Sequence, residues 1–170
     1  MSSAVFNPVK LPMSKSYVDD NSNEKQINLL LVDDEPDFRE SACRYLKRLG
    51  FYVEEAEDCE GALNITINKR FDVVLLDIHM PGIKGIPVLA ELMKRDPAPK
   101  VIMLTGGGTI DNAVESIKLG AYDFLTKPTK LDDLARLVKR ACETQQLENE
   151  NSLLSQHFHR YQIHVQHFGQ

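Results

Sequence analysis

The stretch Val73-Val74-Leu75-Leu76-Asp77, followed by Ile78-His79-Met80-Pro81-Gly82, decides how this chain folds. Four apolar residues, two of them β-branched, run unbroken into a carboxylate and are closed by a Pro-Gly turn. A run so short and so continuously apolar reads as a strand buried on both faces, the pattern of a parallel sheet. The carboxylate must leave that interior abruptly, because an unpaired buried charge is costly. Asp77 therefore marks the carboxyl end of a strand, and open parallel sheets bind their ligands outside those ends.

The pattern repeats on either side. Upstream, Ile27-Asn28-Leu29-Leu30-Leu31-Val32 ends in Asp33-Asp34-Glu35, with Pro36 placed to begin a helix that runs to Leu49 and is closed by Gly50. A second strand is expected at 52–55 and a helix at 59–68, leading into a strand over 71–77. A helix at 86–94 precedes Pro97 and Pro99. Lys100-Val101-Ile102-Met103-Leu104-Thr105 is a fourth buried strand running into Gly106-Gly107-Gly108, after which Thr109 can cap a helix to Leu119. Tyr122-Asp123-Phe124-Leu125 is a fifth strand, and Leu131 begins a last helix. Five strand-helix units with short connections predict an α/β fold: a doubly wound (βα)5, flavodoxin-like parallel sheet with an extended C-terminal helix. Residues 1–26, rich in Ser, Asn, Asp and Pro, are expected to form a disordered N-terminal tail. Residues 27–145 form the domain, and 146–170 a helical linker.

A length of 170 residues with 42% hydrophobic content suits one core. No apolar stretch approaches the roughly 20 residues of a membrane helix, and the start lacks the order of a signal peptide, so the expectation is a cytoplasmic chain with no membrane partner. Cys43, Cys59 and Cys142 match no zinc or redox spacing and read as reduced structural thiols. With a formal net charge of -5 and no cluster of Lys and Arg, direct nucleic-acid binding by this segment is not expected. No GxxxxGK[ST] sequence is present, which excludes a P-loop ATPase. Leu147, Asn151, Leu154, Phe158, Tyr161, Val165 and Phe168 follow at alternating spacings of four and three, a heptad stripe that predicts a homodimer through the C-terminal helix. His157, His159, His164 and His167 lack the cysteine and acid partners of a strong metal site and read as a solvated helix face.

The strand ends collect Asp33, Asp34 and Glu35 from the first strand, Asp77 from the third, Thr105 from the fourth and Lys127 from the fifth. Taken singly, each has an ordinary reading: an acid pair after a strand caps a helix, a Thr before glycines forms a turn, a Lys before Pro lies in solvent. Taken together they converge on one edge, where the carboxylates repel by roughly 4 kcal/mol per pair at 4 Å for an effective dielectric of about 20. A cation is required, and hard oxygen ligands suit Mg²⁺. A Lys and a Thr hydroxyl beside it suit the remaining oxygens of a phosphoryl group.

Leu31-Val32-Asp33-Asp34-Glu35, Leu76-Asp77-Ile78-His79-Met80-Pro81-Gly82, Thr105-Gly106 and Gly120-Ala121-Tyr122-Asp123-Phe124-Leu125-Thr126-Lys127-Pro128 resemble the receiver domain of two-component response regulators, most closely the NtrC-type enhancer-binding regulators. The resemblance spans 27–145 and implies that Asp77 is the phosphoacceptor, served by a sensor histidine kinase or a phosphotransfer protein. It implies Mg²⁺ held by Asp34, Asp77 and the backbone carbonyl of His79, with Asp33 acting largely through water. Thr105 and Lys127 would contact the phosphoryl oxygens, and Thr105 and Phe124 would form the switch. His79 and Gly107 match positions at which the family varies its dephosphorylation rate. In such relatives the C-terminal helix leads to an ATPase and a DNA-binding module, so transcriptional control is implied for a longer parent protein.

Overall fold

The computed structural model describes residues 26–80, 82, 84–106 and 110–167, with residues 110 and 157–167 described by backbone alone. Residues 1–25 of the expected tail, Pro81, Gly107, Gly108, the Thr109 cap and Phe168 thus lie outside the described residues, as do the side chains of Phe158, Tyr161, Val165 and the four tail histidines. The elements alternate as β1 (Asn28–Val32), α1 (Pro36–Arg48), β2 (Tyr52–Ala56), α2 (Cys59–Asn68), β3 (Val73–Asp77), α3 (Gly85–Met93), β4 (Lys100–Gly106), α4 (Ile110–Lys118), β5 (Asp123–Lys127) and α5 (Leu131–His167). The five strands form one parallel sheet in the order β2-β1-β3-β4-β5. The chain winds outward in opposite directions from β1 and β3, so the crevice beyond their carboxyl ends is a topological switch point.

Alternate strand residues face opposite layers, and both layers are apolar. Leu29, Leu31, Val73, Leu75, Ile102 and Leu104 pack against Ala42 and Leu46 of α1 and Leu134, Val138 and Ala141 of α5. Leu30, Val32, Val74, Leu76, Val101 and Met103 pack against Ala62 of α2 and Val88, Leu89 and Leu92 of α3. Each fully buried leucine contributes about 2 kcal/mol of transfer free energy. This two-sided burial is what the unbroken apolar run before Asp77 required.

Local signals set the ends of the elements. Pro36 occupies the first turn of α1, and the Asp58 carboxylate caps α2 by accepting the Gly61 N–H at 2.6 Å. Gly50 and Gly120, at φ of 94° and 104°, take the left-handed conformation that ends α1 and α4. Two strands differ from the expected limits by two residues at one end, the others by one: β3 begins at Val73, and β5 continues to Lys127. The second difference matters, because parallel pairing of Lys127 with Gly106 fixes the lysine at the sheet's carboxyl edge. The three cysteines are free and buried, and burial pushes the Cys59 thiol up to about 11 and the Cys142 thiol up to about 12. Helix α5 runs on past residue 145 without a break; among its described side chains the last buried one is Gln145, beyond which Leu147, Leu153 and Leu154 are exposed. Among the described residues, no helix is long and apolar enough to cross a membrane.

Candidate functional site

β1 and β3 are neighbours in register, so the residues that end them meet at the switch point: Asp33 just beyond β1 and Asp77 as the last residue of β3. Both are buried, at 0% and 3% exposure. From the far side of β4, Lys127 reaches across with Nζ 2.5 Å from Asp33 Oδ2, 3.0 Å from Glu35 Oε1 and 3.1 Å from Asp77 Oδ2. The Phe38 ring of α1 lies against the ammonium, 4.5 Å from ring centre to Nζ. Burial alone would pull this lysine's pKa down, but the contacts with Asp33 and Glu35 and the charge of Asp77 together hold it above the ordinary lysine range. Burial pushes the Asp33 carboxyl up, opposed by Lys127 and by the Glu35 N–H.

The remaining carboxylate oxygens are partly engaged. Asp33 Oδ1 accepts the Glu35 N–H at 2.9 Å, and Asp77 Oδ1 accepts the His79 N–H at 2.8 Å. Arg39 donates to the Asp33 backbone carbonyl at 2.6 Å and so ties α1 to the end of β1. Asp33 Oδ2 is buried without a well-directed hydrogen bond, despite its close ion pair with Lys127. Carboxylate oxygens of Asp33, Glu35 and Asp77 all lie within 4.8 Å of one another. Three carboxylates face one ammonium, leaving two negative charges at a partly buried edge. This donor set fits a hard divalent cation.

The expected site residues are thus largely, and not wholly, brought together. Asp33, Asp77 and Lys127 meet; Thr105, buried at 4% exposure, is the penultimate residue of the neighbouring strand β4 and follows Leu104, whose carbonyl accepts the Ile78 N–H at 2.9 Å. Asp34 is half-buried and is not a member of the carboxylate cluster, whereas Glu35 is. His79 is exposed, and Phe124 is 41% exposed on the edge strand, outside the core. Sequence reasoning assigned no role to Phe38 or to Gly85. A Cβ on Gly85 would stand 2.4 Å from the Asp77 backbone carbonyl oxygen, so only glycine lets α3 approach the end of β3 this closely. The one sequence sign of it is a glycine at the first turn of a helix.

Residues 29–139 match the family model described as the response regulator receiver domain. An NtrX-like response regulator of Rickettsia bellii is 42% identical over 127 residues, covering 74% of this chain and 27% of the relative. The C4-dicarboxylate transport transcriptional regulatory protein DctD of Pseudomonas aeruginosa is 37% identical over 131 residues, covering 77% and 28%. Among solved structures, NtrX from Brucella abortus in complex with ADP superposes with a TM-score of 0.71 at 37% identity, covering 76% of this chain and 30% of that one. A CheY-like receiver domain protein from Methanospirillum hungatei gives 0.70 at 31% identity, covering 72% and 98%. The chain spans less than a third of the length of the curated relatives it matches.

Proposed function

Because the chain belongs to the response regulator receiver domain family, it is a phosphorylation-activated signalling switch, and we propose that Asp77 is the residue phosphorylated. The observation that carries this reading is the seat of Asp77: a buried carboxylate at a topological switch point, 3.1 Å from a lysine that also bridges Asp33. In the forward step an Asp77 carboxylate oxygen attacks the phosphorus of a sensor kinase phosphohistidine. The new O–P bond forms as the N–P bond breaks, and the imidazole nitrogen leaves with the electron pair and regains a proton from solvent. Lys127 neutralises charge on the transferred group, and the Thr105 hydroxyl, near the end of the next strand, donates a hydrogen bond to it. Water later cleaves the acyl phosphate, returning the carboxylate and inorganic phosphate. Asp33, Asp34, Asp77 and the backbone carbonyl of His79 are the proposed holders of Mg²⁺, which supplies further neutralisation of the phosphoryl oxygens when bound.

The response follows from charge added where Lys127 and Thr105 lie. Acceptor oxygens on phospho-Asp77 draw the Thr105 hydroxyl inward, and Phe124 turns from its exposed position into the space released. The chain acts in the cytoplasm as the receiver of a longer transcriptional regulator, and the exposed Leu147, Leu153 and Leu154 of α5 support a homodimer through that helix. Incubation with acetyl phosphate and Mg²⁺, followed by intact-mass measurement, is expected to add one phosphoryl group to the wild type and none to Asp77→Asn. An unmodified wild type overturns the assignment. Truncation after Gln146 is expected to convert a dimer to a monomer by solution mass; the same monomer in both forms removes the α5 dimer.

A further inference from the structure

The third carboxylate of the cluster belongs to a residue to which the receiver assignment gives no role. Glu35 is the N-cap residue of α1, but its side chain makes no capping hydrogen bond. Its carboxylate instead stands 3.0 Å from Lys127 Nζ. Its backbone N–H is held by Asp33 Oδ1 at 2.9 Å, which fixes the residue on the acidic turn. The Glu35 side chain is 63% exposed, against 0% for Asp33 and 4% for Asp77. It is therefore the member of the cluster that can exchange the lysine for water without stranding a buried charge.

We infer that Glu35 is a positioning residue of the phosphoryl-accepting site, one that draws Lys127 toward solvent and raises the affinity of Asp33 and Asp77 for a divalent cation. The inference rests on the reading of Asp77 as phosphoacceptor. Two effects act in the same direction. A third negative charge within 4.8 Å of the two buried carboxylates adds attraction for the cation. Holding the ammonium at Glu35 also keeps it from moving wholly onto the oxygens that the cation needs, while the Phe38 ring limits its retreat on the other side. Without the Glu35 charge, Lys127, already 2.5 Å from Asp33 and 3.1 Å from Asp77, loses its solvent-facing partner and competes with the cation more strongly.

The test is calorimetric titration of Mg²⁺ into the whole chain with no phosphodonor present, comparing the wild type with Glu35→Gln, Glu35→Asp and Glu60→Gln. The last is an exposed acid on the β2-α2 rim that makes no contact with Lys127. Glu35→Gln is expected to weaken Mg²⁺ binding roughly three- to tenfold at moderate ionic strength, and Glu35→Asp, which keeps the charge, substantially less. Glu60→Gln is expected to bind as the wild type does. Equal affinity in Glu35→Gln and the wild type overturns the inference, as does an equal loss in Glu60→Gln, which would reduce the effect to general surface charge. Acetyl phosphate labelling run in parallel separates the two levels. A wild type that binds Mg²⁺ and is labelled, beside a Glu35→Gln variant of equal affinity, sinks the role of Glu35 alone; a wild type that does neither sinks the Asp77 reading with it.

Discussion

Lys127 and Lys100 stand at opposite edges of one sheet, each within 3.1 Å of its carboxylate partners, and they do different work. Lys127 ends β5 and faces three carboxylates contributed by the turn after β1, the cap of α1 and the end of β3. Lys100 begins β4 and meets one, Glu148 of α5, with both carboxylate oxygens at 2.7 Å. The distances are similar; burial is not. Asp33 and Asp77 are 0% and 4% exposed, whereas Glu148 is 59% exposed. At the carboxyl edge charge is pooled beyond what one lysine neutralises, which leaves room for a cation and a phosphoryl group. At the amino edge the Lys100 and Glu148 charges balance one for one. Its neighbouring contacts, Gln145 Nε2 to the Ala98 carbonyl at 3.0 Å and Tyr122 Oη to Thr144 Oγ1 at 3.3 Å, simply fasten α5 to the sheet. Burial, not ion-pair length, separates the chemical edge from the structural one.

The sharpest way to break this contrast is Lys127→Met. Removing the cation strands two buried carboxylates, and the expected loss is about 3 kcal/mol of unfolding free energy at neutral pH without divalent ions. Urea denaturation measures it, and added Mg²⁺ is expected to recover part of the loss. A loss below about 1 kcal/mol would place Lys127 in the class of surface pairs and erase the difference between the edges.

Next in size is Gly85→Ala. The added methyl must displace the Asp77 carbonyl, at a cost of about 2 kcal/mol from overpacking. Because the displaced backbone belongs to Asp77, acetyl phosphate labelling should slow as well. Wild-type labelling with reduced stability would show the carboxyl edge tolerating movement that its geometry says it cannot.

Alkaline pH separates the interior from both edges. Burial holds the thiols of Cys59, in the layer with α2 and α3, and Cys142, in the layer with α1 and α5, at about 11 and about 12, above an ordinary 9.0. From pH 9 upward the unfolded chain releases thiol protons that the folded chain keeps, so fewer protons are bound unfolded than folded and stability falls as pH rises. The expected slope is about 1 kcal/mol per pH unit for each thiol between pH 9 and 10. Lys127, held above its ordinary 10.5, keeps its contribution through that window and loses it only at higher pH. Cys59→Ala with Cys142→Ala should flatten the slope, and a slope unchanged in that double variant would move its cause away from these two thiols, to Cys43, which burial also raises, or to the edges.

How far these regions were legible in the sequence follows the same division. Apolar runs that end in Asp33 and Asp77 state both the strand and its end, because two-sided burial admits no polar residue until the sheet stops. Lys127 was legible as a site residue but not as a strand residue, since the short segment carrying it alternates partly buried and exposed positions on an edge strand. Which acids of the Asp33-Asp34-Glu35 turn meet Lys127 was not legible, although all three were collected at the strand end: on a turn, one residue's rotation decides which carboxylate faces the lysine, and no periodicity records it. Phe124 gave the same difficulty, an aromatic in a strand whose exposure depends on what covers the edge. Gly85 was hidden because its constraint comes from the backbone of another element. The Lys100–Glu148 pair joins residues 48 apart, and helical spacing on α5 says nothing about which strand it crosses.

That pair provides the smallest and most discriminating test. Lys100→Met removes one ion pair whose acid remains in solvent, so the carboxylate left behind is rehydrated at almost no cost, and the expected loss is about 0.5 kcal/mol or less. The loss should shrink further in high salt, since exposed charges are screened within about 10 Å at 0.1 M ionic strength. Gln145→Leu is the companion variant, because Gln145 is 3% exposed and its amide donates to the Ala98 carbonyl. Losing that hydrogen bond is expected to cost about 1 kcal/mol, insensitive to salt. If Lys100→Met proved as costly as Lys127→Met, or as insensitive to salt as Gln145→Leu, the amino edge would hold a buried charge after all. The two ends of the sheet would then differ in what they bind rather than in how they are built.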